Sequence, residues 1–454
     1  MSTYSQAAPT PVRSPDLRSR PLMTKRAWWL VVLNLLIPGS AQVLAGDRRM
    51  GRFGLGATLV LWALVVVVVV VAMLNRNILI GLFTNTIVLW VLVAACLFYG
   101  VLWILLTFDT LRLVRLVRVA PSARAFVAGL AVVALVAVAG GAGYAASNAV
   151  SAIGLLGTVF SGGQVAPPID GRYNILLLGG DAGPDRLGLR PDSISVVSID
   201  AQTGSATIFG IPRNLEQVQF VEGSPLYGPF PTGYDCGDDC LVSYLYTYAQ
   251  EHPELYPGAE AAGSQPGIEA TRDAAEGILG ITLQYYVLID MQGFADLIDA
   301  LGGIDIDVPE RIAYGANTYD DGSAAPPAGY IEAGQQHMDG ETALWYARSR
   351  YGVTDFDRMG RQRTVQEAIL QQFDPANVLL KFQAVAAAGG QVVSTDIPQN
   401  MLTYFVDLAG KTRSLPITKV DFVPPTIHPG NPDFALIQQM VADALAPVTP
   451  APTP

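Results

Sequence analysis

The sequence predicts an α/β fold, an extracytoplasmic αβα sandwich with a central sheet, preceded by a multi-span α-helical membrane region. Three observations predict it. Residues 1–150 carry 13 Lys+Arg and three acids (Asp16, Asp47, Asp109), and they hold long apolar runs. From Ser151 onward the balance inverts to 15 Lys+Arg against 36 Asp+Glu, a net of −21. In that second half, short β-branched and leucine-rich runs bounded by Gly, Asp and Pro alternate with helical patterns, as expected of a sheet covered by helices.

The apolar runs 53–74, 83–108 and 126–146 each supply ~20 residues, enough to cross a hydrocarbon core. The valine run Val65–Val71 is apolar on every face, which a soluble amphipathic helix is not. Segment 28–45 is shorter and is interrupted by Asn34, Pro38, Gly39 and Gln42, so it reads as a re-entrant or interfacial hairpin. Residues 1–52 carry eight positive charges and Asp109–Arg124 four, against Arg76 alone in the 75–82 loop. Short basic loops stay in the cytoplasm, so three spans with a cytoplasmic amino terminus are expected. A four-span arrangement would export the first 25 residues. No signal peptide is expected ahead of the spans. Arg112, Arg115 and Arg118 recur every third residue and suit either an interfacial helix at anionic headgroups or the charges that hold this loop inside. The expected division is 1–27 cytoplasmic tail, 28–146 membrane region, 147–171 stalk, 172–447 outer domain and 448–454 disordered tail.

In the outer domain, strands are expected at 173–178, 193–199, 205–211, 284–290 and 304–308. Helices are expected at 241–250, 266–279, 291–301, 339–346 and 356–373, and loops at 221–240, 252–265 and 315–336. The 266–279 helix opens on a proline and stops at Gly280. Cys236 and Cys240 stand close together in a loop on the outer side, and an even pair in an oxidising compartment predicts a local disulfide. Two cysteines with no histidine or cysteine partner make a poor zinc site.

Five arginines, Arg348, Arg350, Arg358, Arg361 and Arg363, fall within sixteen residues of this acidic domain. A general basic surface, such as one for nucleic acid, is therefore not expected. Arginine outnumbers lysine twelve to three there, which favours forked recognition of phosphate or carboxylate. Helical spacing places Arg358, Arg361, Gln362 and Val365 on one face, and an extended segment points Arg348 and Arg350 the same way. Asp181 follows a glycine pair at a strand's carboxyl end, where α/β sheets bind ligands; Arg186, Arg190 and Asp192 follow, and Arg213 ends another strand. Carboxylates beside arginines suit a divalent cation bridging phosphate oxygens. The plainer reading pairs the arginines with neighbouring acids such as Asp355 and Asp357. No GxSxG, HExxH or Walker-type motif is present. The three histidines, His252, His337 and His428, do not suggest a histidine-centred mechanism. The glycines of GRFGLG at Gly51–Gly56 read as packing, because they lead into a span.

In order, NILLLGGD, RPDS, IPRN, DALGGIDIDVP, DGETALWYARSR and DFDRMGRQR resemble the LytR-CpsA-Psr family over roughly residues 172–375, with weaker similarity to about 447. The resemblance implies a membrane-anchored ligase. Such an enzyme transfers a cell-wall glycopolymer from a polyprenyl-pyrophosphate carrier to a peptidoglycan hydroxyl through a phosphodiester link, with Mg2+ as cofactor and a hydrophobic pocket for the isoprenoid tail. Its partners are then the polyprenyl-pyrophosphate-linked glycan, peptidoglycan and membrane lipid. By motif, Asp181 and Asp192 resemble the magnesium-linked acids. Arg190, Arg213, Arg348, Arg350 and Arg358 resemble the pyrophosphate-contacting arginines, with Asp355 and Gln362 in support. Asp181, Asp192, Arg213, Arg348 and Arg350 are the catalytic candidates. Three departures stand out: Asn214 replaces the family's acid after the IPR arginine, Ser243 stands where asparagine is frequent, and the chain has several membrane segments instead of one. The proton acceptor stays open among Asp181, Asp192 and Asp355. A polyprenyl-pyrophosphate phosphatase and a non-catalytic wall-glycan binding protein remain alternatives.

Overall fold

The computed structural model describes residues 12–13, 15–74, 76–160, 163–181, 190–237, 239–315, 325–372 and 393–446. The chain forms two compact units that divide between Ile153 and Gly154.

The first unit is helical: α1 (Arg20–Leu36), α2 (Ser40–Ala45), α3 (Arg48–Leu74), α4 (Arg76–Phe83), α5 (Thr86–Val114) and α6 (Pro121–Val159). Three of its helical stretches, Arg48–Leu74, Thr86–Arg118 and Pro121–Gly154, are long and apolar enough to cross a membrane. Val65–Val70 lie 44–57% exposed on α3, so this part of the valine run is left open by the described residues. The residues that interrupt segment 28–45 tie the α1–α2 hairpin to its neighbours. Asn34 donates to Thr107 Oγ1 (3.1 Å), and Gln42 donates to the Leu106 carbonyl (2.8 Å) and Thr110 Oγ1 (3.0 Å). Gly39 has φ +93°, and a Cβ there would stand 2.4 Å from the Leu55 nitrogen on α3. Small residues let helix backbones approach this closely. Residues 147–159, expected as stalk, instead continue α6.

In the second unit, β1 (Arg172–Asp181), β2 (Arg190–Asp200), β3 (Ala206–Ile211), β4 (Tyr285–Asp290), β9 (Val393–Thr395) and β10 (Thr418–Asp421) form a sheet in the order β10-β3-β2-β1-β4-β9. β1 is antiparallel to β2 and parallel to β4, and β10 is parallel to β3. Alternation along the strands sorts two cores. Leu176, Leu178, Ile194, Val196, Phe209 and Leu288 face one side, with α7 (Leu245–Glu251), α8 (Pro266–Leu279) and α13 (Phe434–Leu445). Tyr173, Ile175, Val197, Ile208 and Tyr285 face the other, with α12 (Leu402–Thr412). Helices therefore cover both faces, as the sandwich expectation requires.

A further core joins α9 (Met291–Leu301), α10 (Gly340–Arg348) and α11 (Asp355–Gln372) to two small ribbons. In one, β5 (Ile304–Val308) pairs with β8 (Gly334–Met338); in the other, β6 (Ile312–Tyr314) pairs with β7 (Gly329–Ile331). β7 and part of β8 fall in the stretch expected as a loop. GYI is too short and GQQHM too polar to show an apolar alternation, and it is pairing with β6 and β5 that makes them strands. Cys236 and Cys240 form a disulfide, with Cα atoms 5.2 Å apart.

Candidate active site

The end of β1, the start of β2 and the ends of β3 and β4 meet at one edge of the sheet, because β2 runs antiparallel to the strands on either side. There Gly180 pairs with Pro191 and with Asp290, and a bulge between Gly179 and Gly180 re-aims the strand end. The register also brings Asp181 opposite Arg190. The side chains of Asp181 and Arg190, and the whole of Arg186, lie outside the described residues.

At this edge Arg213, Arg350 and Arg358 gather on Asp355. Arg358 grips it in a fork, Nε to Oδ1 and Nη2 to Oδ2, both at 3.1 Å. Arg213 Nε donates to Oδ2 at 3.3 Å, and Arg350 Nη2 lies 3.7 Å from Oδ1. Arg213 also donates from Nη1 to Asp192 Oδ1 at 2.6 Å. Burial would raise the Asp355 carboxyl, but Arg358, Arg213 and Arg350 outweigh it and hold it below the ordinary carboxylate range. Burial would lower the Arg213 guanidinium, yet Asp192 and Asp355 raise it. Arg350 is lowered, first by burial and then by Arg358 and Arg213 beside it. Asp357 is not part of this network. It forms a capping box with Thr354 at the start of α11, accepting from the Thr354 amide at 2.8 Å while its own amide donates to Thr354 Oγ1 at 3.2 Å.

Arg348, Arg350, Arg358, Gln362 and Asp192 line one cavity of about 830 Å³. The rest of its wall is mainly apolar, with Leu177, Val287, Ile289, Phe294, Trp345 and Ile369 from β1, β4, α9, α10 and α11. The Arg348 guanidinium stands 5.7 Å from the centre of the Trp345 ring. α11 presents Arg358, Gln362, Val365 and Ile369 to the cavity. Arg361, expected on that same face, instead turns to the carbonyls of Tyr346 and Ser349. Arg363 is 1% exposed, and burial pushes its guanidinium down to about 10. It sits 3.6 Å from Asp421 at the end of β10, away from the cavity lining. Of the five clustered arginines, three face the cavity and two hold the fold.

A hard cation at this wall would depend on phosphate oxygens to complete its shell. Asp192 offers carboxylate oxygen on the cavity wall. Among the described residues no group of three or more His, Cys, Asp or Glu could hold a metal alone. Mg2+ ordinarily takes one or two carboxylates together with substrate phosphates.

Residues 158–433 match the LytR_cpsA_psr family. The chain belongs to that family. The polyisoprenyl-teichoic acid–peptidoglycan teichoic acid transferase TagU of Halalkalibacterium halodurans is 27% identical over 228 residues, covering 50% of this chain and 61% of that relative. The transferase of the same description TagV of Bacillus subtilis is 28% identical over 212 residues, covering 46% and 45%. The chain thus spans about half to three-fifths of these relatives. The crystal structure of B. subtilis TagV is 23% identical, covers 60% of this chain and 97% of that one, and superposes with a TM-score of 0.42.

In this LytR_cpsA_psr chain the two departures lie beside Arg213 in the sequence or in contact with it, Ser243 buried and Asn214 half-buried. The Ser243 amide donates to the Arg213 carbonyl at 3.1 Å, and Asn214 Oδ1 is buried with no hydrogen-bond partner among the described residues. The family resemblance implied a hydrophobic pocket, but sequence reasoning named none of the residues of the apolar wall, and it missed Asp290, which lines the cavity and caps α9 by accepting from the Gly293 amide at 2.7 Å. An aspartate between a strand and a helix was a readable cap signal. The wall residues carried none, since core and cavity wall use the same side chains.

Proposed function

We propose that the chain transfers a cell-wall glycopolymer from a polyprenyl-pyrophosphate carrier to a peptidoglycan hydroxyl. The observation that carries this reading is the amphiphilic cavity: three guanidiniums and a mostly apolar wall line the same space of about 830 Å³. An isoprenoid pyrophosphate needs both halves, and a soluble phosphate ester would leave the apolar half unused. The names of the two transferases reported above support the same chemistry.

In the proposed step the acceptor hydroxyl oxygen attacks the phosphorus that bears the glycan. The bond from that phosphorus to the bridging oxygen breaks, polyprenyl phosphate leaves, and a phosphodiester joins glycan to peptidoglycan. Arg348, Arg350 and Arg358 bind the pyrophosphate and neutralise charge on the departing phosphate, which is most of what phosphoryl-group transfer asks of a protein. Arg213 links Asp192 to Asp355, and Arg190 and Gln362 complete the anion site. The hydroxyl proton passes to a carboxylate. Asp355 suits that role poorly, because three guanidiniums lower its basicity. Mg2+, held by Asp181 and Asp192, would supply further charge neutralisation on the phosphates. The membrane helices keep the site near a lipid-tethered substrate, which raises its effective concentration. We place residues 1–27 in the cytoplasm and the α/β unit outside, joined by three passes.

Turnover of the full chain with lipid-linked glycan and a peptidoglycan acceptor tests the reading. Arg348→Lys keeps the charge and loses the fork, and with Asp192→Asn it should slow ligation by ~10²–10³. Arg413→Ala, at an exposed position, is the control. Arg272, on α8 and outside the arginine clusters, would be a poor control, since it is ion-paired with Asp396 (2.5 Å) and Glu269 (3.3 Å). Ligation at wild-type rates by both site variants would overturn the reading, and release of polyprenyl phosphate without polymer transfer would replace it with a hydrolase.

A further inference from the structure

Arg361 does not line the cavity, yet it reaches Ser349, the lining residue between two of the site's arginines. Arg361 is 8% exposed and spends its donors on backbone: Nε on the Tyr346 carbonyl at 2.8 Å, and Nη2 on the Ser349 carbonyl. Tyr346 lies in the last turn of α10, where carbonyls have no partner within the helix. Ser349 is held by all three of its polar groups. Its amide donates to the Trp345 carbonyl at 2.9 Å, its hydroxyl to the Ala313 carbonyl on β6, and its carbonyl accepts from Arg361. It is 2% exposed. Arg348 and Arg350 flank it, with the Ser349 backbone extended (φ −53°, ψ 138°), so that both line the cavity.

We infer that Arg361, acting with Ser349, is a positioning residue that fixes the directions in which Arg348 and Arg350 present their guanidiniums. Arg361 itself does not touch the bound anion. It follows Arg358 on α11 by three residues, so one helix both supplies a direct anion contact and locks the segment that supplies two more. A flexible 348–350 segment would have to be ordered on each binding event, and the lock removes that cost in advance. This inference rests on the reading of the cavity as an anion site.

The test is a double-mutant cycle on the full chain in detergent, with inorganic pyrophosphate as the titrated probe. Arg361→Met should weaken binding by about tenfold, within the range measured for coupled neighbours. In a chain already carrying Arg348→Ala and Arg350→Ala, the same change should have almost no further effect. A residue that contacts the anion directly would instead add its full penalty in both backgrounds, as would a general loss of fold. Arg361→Lys, which can reach one carbonyl but not fork across two, should recover part of the loss. Should Arg361→Met fail to fold, Ser349→Ala decides the matter: it deletes the hydroxyl's bond to the Ala313 carbonyl and the one it accepts from the Tyr351 amide (3.4 Å), and should show a smaller loss with the same dependence on Arg348 and Arg350. Equal penalties in both backgrounds, or wild-type affinity in the folded variants, overturn the inference while leaving the anion site intact. Failure of the wild-type chain to bind pyrophosphate overturns the anion-site reading and the inference with it.

Discussion

Around Arg272 on α8, acids outnumber the base. Asp396 and Glu269 pair with it, while Asp273 accepts from Ser224 Oγ (2.5 Å) and Tyr256 Oη (2.6 Å), and Glu276 accepts from the Leu283 amide (2.7 Å). Burial raises the carboxyls of Asp273 and Glu276 above their ordinary values, even against these hydrogen bonds. The native state therefore holds protons on them at a pH where the unfolded chain has released them. Stability contributed this way is complete below the unfolded values and is lost as pH rises through the raised ones. We predict that the full chain gains thermal stability as pH falls from neutral toward the carboxylate range, and that Asp273→Asn flattens this part of the profile. An unchanged profile in the variant would contradict the assignment. Asp355 works in the opposite sense: its lowered carboxyl stabilises above the ordinary range and ceases to do so as pH falls through the lowered value.

Among the elements, the β3–β10 pair shows how closely the site edge is built. Gly210 on β3 pairs with Asp421 on β10, and a Cβ at Gly210 would stand 2.1 Å from Asp421 Oδ1 and 3.0 Å from Arg363 Nε. The pair of buried Arg363 and half-buried Asp421 occupies the space a side chain would fill, and it anchors α11 against the sheet. Gly210→Ala should destabilise by about 1–3 kcal/mol, the usual range for overpacking a filled site. Thermal unfolding of the full chain measures it, and a neutral result would mean that the pair can move aside. α10 is fixed in a comparable way. Asp339 caps it by accepting from the Thr342 amide at 2.8 Å, and a Cβ at Gly340 would lie 2.0 Å from the Ala295 carbonyl on α9. The helix that delivers Arg348 thus starts from a defined point on its neighbour.

For the whole molecule, the charge asymmetry between basic and nearly uncharged loops predicts which side of the membrane each unit occupies. Single cysteines at Ser19 and Ser414, in a chain whose Cys96, Cys236 and Cys240 are replaced by serine, would report it through an impermeant maleimide. Intact cells should label position 414 and leave position 19 unlabelled. Labelling of both, or of 19 alone, would reject three passes with a cytoplasmic amino terminus.

The sequence alone determined whatever rests on local pattern and composition. The long apolar helices are legible because a run with no polar face excludes water on every side. The 266–279, 291–301 and 304–308 elements are legible to the residue, because Pro266, Gly280 and Gly302 are backbone signals read within a turn or two. The five clustered arginines could be singled out because forked cations are unusual in so acidic a domain, and the family resemblance narrowed them to Arg348, Arg350 and Arg358. Tertiary structure decided what depends on partners distant along the chain. GQQHM becomes a strand only opposite IDIDV, and Leu177, Phe294 and Ile369 become a cavity wall only where the surrounding elements leave a gap. Likewise, no spacing rule separates Arg358 from Arg361. Both lie on α11, and what divides them is that the carbonyls of Tyr346 and Ser349 fall within reach of one, while Asp355 and the cavity fall within reach of the other.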